Sequence, residues 1–230
     1  MTRLTRRAAT AALAAAALSP ALAAPKTARK KPVRYDTSNG EWKSYSGDQK
    51  GLRYAPLTQV DAANFSRLEP AWSHAEPGDV NLQATPLMVN GVLYTTAGLK
   101  RTVLALDART GEVKWRFDFD EGKRGVNAPR PGSGHGVSYW SDGDAERILY
   151  VTIGYQLIAL DAKTGKPDAG FGTNGVVDLK RDDDQDINLE GEGAGEEIGL
   201  HSTPLVVGDV VVVGAAHSAT VTIARHVKGF

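Results

Sequence analysis

The chain has 230 residues, 27 Lys+Arg against 27 Asp+Glu, and no cysteine. A balanced charge excludes the basic surface of a general nucleic-acid binder. The missing cysteine excludes disulfides, thiol catalysis, Cys-based zinc sites and Cys-x-x-Cys-His haem attachment. With 25 Gly and 11 Pro, the composition suits a turn-rich β fold.

Residues 1–23 read as a signal peptide. Arg3, Arg6 and Arg7 form a basic start, Ala8 to Leu18 is too short an apolar run to span a bilayer, and Ala21-Leu22-Ala23 is a small-x-small cleavage site. Thr5-Arg6-Arg7 leaves Sec and twin-arginine export both open. Export of this kind places the mature protein in the periplasm, with a net charge of about −3 once the three arginines are gone. No later segment has the length and apolarity of a transmembrane helix. Residues 24–41 read as a flexible, basic, Pro-containing linker, with order beginning near Trp42.

From residue 42 onward the chain reads as repeats. Thr85-Pro-Leu-Met-Val-Asn-Gly-Val-Leu-Tyr94 predicts a strand, an Asn-Gly hairpin turn and a second strand. Leu104-Ala-Leu-Asp-Ala-Arg-Thr-Gly111, followed by Glu112 to Trp115, predicts a third strand, a tight turn and a fourth. The same pattern returns in Leu157-Ile-Ala-Leu-Asp-Ala-Lys-Thr-Gly165, with 54 residues between Asp107 and Asp161. Glu146 to Thr152 supplies the earlier strand of that second unit. Thr203-Pro-Leu-Val-Val-Gly-Asp-Val-Val-Val212 repeats the first element 118 residues after Thr85 and opens a third unit. Four short antiparallel strands at a fixed period predict an all-β fold of propeller blades. The blades are expected at Val80 to Trp115, at Gly136 to Phe171 and from His201 onward, with a long connection over Gly172 to Gly199.

Asp107 and Asp161 are read as turn residues whose carboxylates accept amide hydrogens. Trp115 is read as packing between neighbouring blades. Residues 182–197 carry eight carboxylates. Asp182-x-Asp184-x-Asp186 alternates like a calcium loop, but Ile187 replaces the turn glycine and Gly193 stands where the bidentate glutamate belongs, so a solvated acidic loop is expected. Gly191-x-Gly193-x-Gly195 lacks dinucleotide-fingerprint spacing. His74, His135, His201, His217 and His226 show no metal-ligand spacing. About three blades do not close a ring, since four to eight are usual. The chain is therefore expected to be the N-terminal part of a longer protein.

Taken together, Trp42, Ser46-Gly-Asp48, Arg53-Tyr-Ala-Pro-Leu57, Asn64-Phe-Ser-Arg-Leu68, Ala71-Trp72, Gln83-Ala-Thr-Pro-Leu87, Gly136-Val-Ser-Tyr-Trp140 and Leu160-Asp-Ala-Lys-Thr-Gly-Lys-Pro167 with Phe171-Gly172 resemble the pyrroloquinoline-quinone-dependent dehydrogenases of the glucose- and alcohol-dehydrogenase type. The resemblance covers residues 40 to 214. It implies an eight-bladed propeller in the complete protein, with the quinone on its axis and, in most members, a calcium ion beside it. It implies oxidation of an alcohol or sugar, hydride transfer to the quinone, an aspartate base, and a respiratory electron acceptor (a quinone or cytochrome c).

The same resemblance implies cofactor contacts at Gln83, His135, His201 and Ser202. Gln83 stands where many relatives have a glutamate, and His135 where they usually have an arginine. Gly214-Ala-Ala-His-Ser218 falls where relatives bind metal or cofactor but lacks the acidic ligand. The vicinal cysteines of methanol-type members are absent. The catalytic base and the stacking tryptophan are expected beyond Phe230, which would leave this chain inactive alone. The other reading is a non-catalytic propeller that uses the same blades as a scaffold for protein partners.

Overall fold

A computed structural model describes residues 34–77, 82–181, 198–217 and 228–229. The expected signal peptide, most of the basic linker and the acidic stretch 182–197 lie outside the described residues. The first antiparallel sheet runs in sequence order: β1 (Leu87–Val89), β2 (Val92–Ala97), β3 (Thr102–Asp107) and β4 (Val113–Phe117). A short helix, α1 (Gly122–Val126), leads into the second sheet. That sheet is β5 (Ser138–Ser141), β6 (Glu146–Val151), β7 (Gln156–Asp161) and β8 (Val176–Asp178), again in sequence order. A two-stranded ribbon joins β9 (Ile198–Gly199) to β12 (Ala216–His217), and the third sheet holds β10 (Leu205–Val207), β11 (Val210–Val213) and β13 (Lys228–Gly229). These are the sheets of an unclosed propeller, as the repeats predict.

β8 corrects the expected boundary of the second blade, which reaches Asp178 rather than Phe171. In the first blade the fourth strand follows its turn at once. In the second, Pro167 closes an isolated bridge to Leu160, and residues 168–175 loop out before Val176. A three-residue strand behind a Pro- and Gly-rich loop leaves no periodic signal to read.

The two Asp-x-x-Thr-Gly turns are superposable in their bonding. Asp107 Oδ1 accepts the amides of Arg109 and Thr110 at 3.0 and 3.1 Å, and Asp161 Oδ1 accepts those of Lys163 and Thr164 at 3.1 and 2.8 Å. These bonds hold the Asp107 carboxyl below the ordinary aspartate range, aided by Lys114 nearby. Both aspartates are turn residues.

Sheets stack face to face, and period 2 decides which residues meet. Leu87, Val89, Tyr94, Val103 and Ala105 of the first blade pack against Ile148, Tyr150, Ile158 and Leu160 of the second. The alternate residues Leu149, Val151, Leu157 and Ala159 pack against Val211 and Val213 of the third. The middle blade is buried on both faces, which is why β6 and β7 read as unbroken apolar runs rather than alternating ones. On the third blade, Leu205, Val207 and Val210 are 60, 54 and 45% exposed.

One tryptophan docks on each Thr-Gly turn. Trp72 Nε1 donates to Ala108 O at 3.1 Å, and Trp115 Nε1 donates to Ala162 O at 2.9 Å. Each indole lies over the turn glycine. A Cβ on Gly111 would sit 2.7 Å from Trp72, and one on Gly165 would sit 2.6 Å from Trp115. Those glycines answer two demands at once, a left-handed φ (75° and 69°) and room for an aromatic ring.

Ahead of the first blade, Trp42 exchanges both backbone bonds with Met88, at 2.8 and 3.0 Å. Tyr35, placed by sequence in the basic linker, packs edge-on to Tyr139 and donates its hydroxyl to Tyr139 O at 3.2 Å. Thr37 is buried and donates to Tyr54 O at 2.7 Å. Among the described residues no helix is long and apolar enough to cross a membrane.

Candidate functional site

The residues that lead into the first strand of each blade converge. Thr85 N donates to His135 O at 3.0 Å, and His135 N donates to His201 O at 2.8 Å. Gln83 N donates to Ser133 Oγ at 3.2 Å. One step further along, Ser138 Oγ donates to Pro204 O. Three segments far apart in sequence are thus laced into one rim by backbone bonds. Gly136 makes the lacing possible: its φ is 110°, and a Cβ there would lie 2.6 Å from Thr85 O, closer than any other residue allows.

The rim assembles three of the four positions singled out by sequence, Gln83, His135 and His201. Ser202 follows directly and is exposed, as is Gln83. The His135 ring stacks on Tyr45 with centroids 6.3 Å apart and planes 17° apart, and lies 6.2 Å from the His201 ring. His201 Nε2 is 3.0 Å from Pro131 O. A carbonyl only accepts, so this nitrogen carries the hydrogen. Burial lowers the His201 pKa, and the cations Arg101 and Arg130 lower it further against the opposing pull of Pro131 O. His201 is therefore neutral at physiological pH.

Tyr45 also lines a cleft of 510 Å³ whose walls include Tyr35, Lys43, Tyr139, Thr203 and Leu205. That volume lies within the range of small-molecule sites. Sequence reasoning passed over Tyr45, Ser133 and Arg101. Nothing local marks Tyr45 or Ser133. Arg101 has a signal only in the repeat, where it stands 54 residues before Tyr155.

The donor set fits a flat, anionic ligand. An amide at Gln83, an imidazole at His135 and a hydroxyl at Ser202 can each donate to a carboxylate, and Arg101 sets a positive charge behind them. The set does not fit a metal ion. Among the described residues no three His, Asp or Glu side chains stand close enough to hold one. Of the Gly214-to-Ser218 stretch, Ser218 lies outside the described residues.

The family model for the glucose/ethanol/alcohol dehydrogenase beta-propeller domain matches residues 42–230. The chain is 36% identical over 166 residues to the quinoprotein glucose dehydrogenase of Gluconobacter oxydans, covering 61% of this chain and 20% of that protein. It is 36% identical over 132 residues to the quinohemoprotein alcohol dehydrogenase ADH IIB of Pseudomonas putida, covering 57% of this chain and 18% of that protein. Among solved structures, the quinohemoprotein alcohol dehydrogenase ADH-IIG of Pseudomonas putida superposes with a TM-score of 0.67 at 29% identity, over 85% of this chain and 25% of that one. The chain therefore spans between a sixth and a quarter of the length of the relatives it matches.

Proposed function

The chain belongs to the glucose/ethanol/alcohol dehydrogenase beta-propeller family, and from that premise we propose that it is the N-terminal part of a periplasmic quinoprotein dehydrogenase oxidising an alcohol or sugar. The observation that carries the reading is the rim, where Gln83, His135 and His201 meet beside a 510 Å³ cleft. The exposed Val210, which does not line the cleft, supports further blades, because a fourth blade would bury its face of the third blade as the second buries Val211 and Val213.

Pyrroloquinoline quinone would supply the hydride acceptor for oxidation of the alcohol or sugar. This chain's residues bind and orient it. Gln83 and Ser202 would donate hydrogen bonds to its carboxylates, as would a ring N–H of His135, whose ring is steadied by Tyr45. His201, neutral with its hydrogen on Nε2, adds no positive charge of its own, so the electrostatic attraction would come from the nearby guanidinium groups of Arg101 and Arg130. The described rim contains no aspartate, and we assign the base that removes the hydroxyl proton to downstream blades. Calcium, if the complete protein binds it, takes its ligands from outside the described rim. The basic start and the Ala21-Leu22-Ala23 site support export to the periplasm, where electrons pass to a respiratory acceptor.

Purified chain mixed with the quinone, calcium and ethanol or glucose is expected to reduce no dye, whereas the chain joined to the remaining blades does. Alcohol-dependent dye reduction by the chain alone, with one quinone bound per molecule, contradicts the proposal.

A further inference from the structure

Arg101 precedes β3, and Tyr155 precedes β7. They are 54 residues apart, the same offset as Asp107 and Asp161, so they occupy one position of the repeat. Both adopt a left-handed backbone, with φ of 57° and 66°, a conformation that costs a non-glycine residue about 1 kcal/mol. Both are buried, at 3% and 2% exposure. Each uses that conformation to reach the next blades. Tyr155 donates its hydroxyl to Gly214 O of the third blade at 2.9 Å.

Arg101 reaches further. Its Nε donates to Gly132 O at 3.1 Å and its Nη2 to Arg130 O at 2.9 Å. Its Nη1 donates to Leu200 O at 2.6 Å, Val151 O at 2.9 Å and Thr152 O at 3.4 Å. The acceptors fall into three groups: the loop that delivers His135, the residue before His201, and the end of β6. None of the five is a carboxylate. Burial pushes the Arg101 pKa down to about 10, Glu121 nearby opposing it, so the group is still charged at neutral pH. A buried cation of the first blade, shared among backbone carbonyls that belong to the second and third, is a fixed point for those backbones.

We propose that Arg101 is the positioning residue of the rim: its guanidinium, bonded to the carbonyls of Arg130, Gly132 and Leu200, sets where His135 and His201 stand for the cofactor. The proposal rests on the functional reading above but not on its outcome, because the clamp can be read without cofactor. A lysine keeps the charge but has neither the planar fork nor five donors. A methionine keeps the length and loses both.

The experiment is NMR on the full chain, following amide exchange and the titration of the His135 and His201 rings in Arg101→Lys and Arg101→Met. In both variants the Thr85 and His135 amides are expected to exchange roughly tenfold faster or more relative to those of β2 and β3, as loss of charge-assisted bonds to the rim requires. The His201 titration midpoint is expected to rise in Arg101→Met and to stay in place in Arg101→Lys. Arg130 and His135, the other charged or titratable groups facing His201, are unchanged in both. Should Arg101→Met fail to fold, Arg101→Lys carries the exchange test alone.

Unchanged rim exchange overturns the proposal, as does uniform acceleration across all blades or loss of fold in both variants. Either of the last two would make Arg101 a general stabiliser. Added pyrroloquinoline quinone separates the two ideas. A rim that loosens in the variants, while the chain joined to the remaining blades never binds quinone, keeps the clamp and discards the function. Quinone binding that is indifferent to Arg101→Met discards the clamp and keeps the function.

Discussion

Trp115→Ala is expected to lower the unfolding free energy by about 3 kcal/mol, the range for deleting a large, partly buried aromatic side chain from a core. The indole seals the first blade to the second, tilted against Tyr94 at 5.8 Å and bonded to Ala162 O at 2.9 Å. Its removal empties the space over Gly165. For a chain of this size the midpoint of thermal unfolding should fall by about 6–12 °C. Trp115→Phe keeps a ring over the glycine and loses one neutral hydrogen bond, so its cost should stay near 1 kcal/mol. Calorimetry on the two variants checks both numbers. Equal losses would mean that the hydrogen bond, not the packed ring, joins the blades.

Gly136→Ala is expected to cost about 3 kcal/mol and to open the rim. The new methyl group meets a backbone carbonyl, Thr85 O, at 2.6 Å, and neither side can turn away as a flexible side chain would. A φ of 110° adds strain of about 1–3 kcal/mol for any residue with a Cβ. The Thr85 N to His135 O bond is the first to yield. Urea unfolding reads the stability loss, and the exchange rate of the Thr85 amide reads the opening. A variant as stable as the parent, with Thr85 still protected, would mean that the rim tolerates more separation than these distances allow.

The two variants also mark what could be read from residues alone. The Leu-Asp-x-x-Thr-Gly turns were legible because their chemistry is local: the aspartate bonds amides two and three residues ahead, and the glycine supplies a positive φ. Their partnership with Trp72 and Trp115 is not local. It joins residues 36 and 47 positions apart, and only the stacked blades bring them together. The fourth strand of the second blade was hidden because Pro167 and the loop behind it break the period before Val176.

The site divides in the same way. Gln83, His135, His201 and Ser202 were marked by resemblance, each standing ahead of a blade's first strand. Their meeting depends on three long-range bonds, from Gln83 to Ser133, Thr85 to His135 and His135 to His201, which no spacing in the sequence announces. Arg101 is harder still. In the turn Gly98-Leu-Lys-Arg101 it looks like one of two solvated cations. Its burial follows from a left-handed backbone that turns the side chain into the protein. Only its 54-residue equivalence to Tyr155 points to it from the sequence.

The central proposal is that the rim holds the cofactor. An NMR titration of the isotope-labelled chain with pyrroloquinoline quinone tests this most directly. The signals of Gln83, His135, His201 and Ser202 are expected to move first and together, while those around Lys114, Trp115 and Lys163 on the far side of the first two blades stay still. Shifts confined to that second group, with the rim unmoved at saturating quinone, would contradict it.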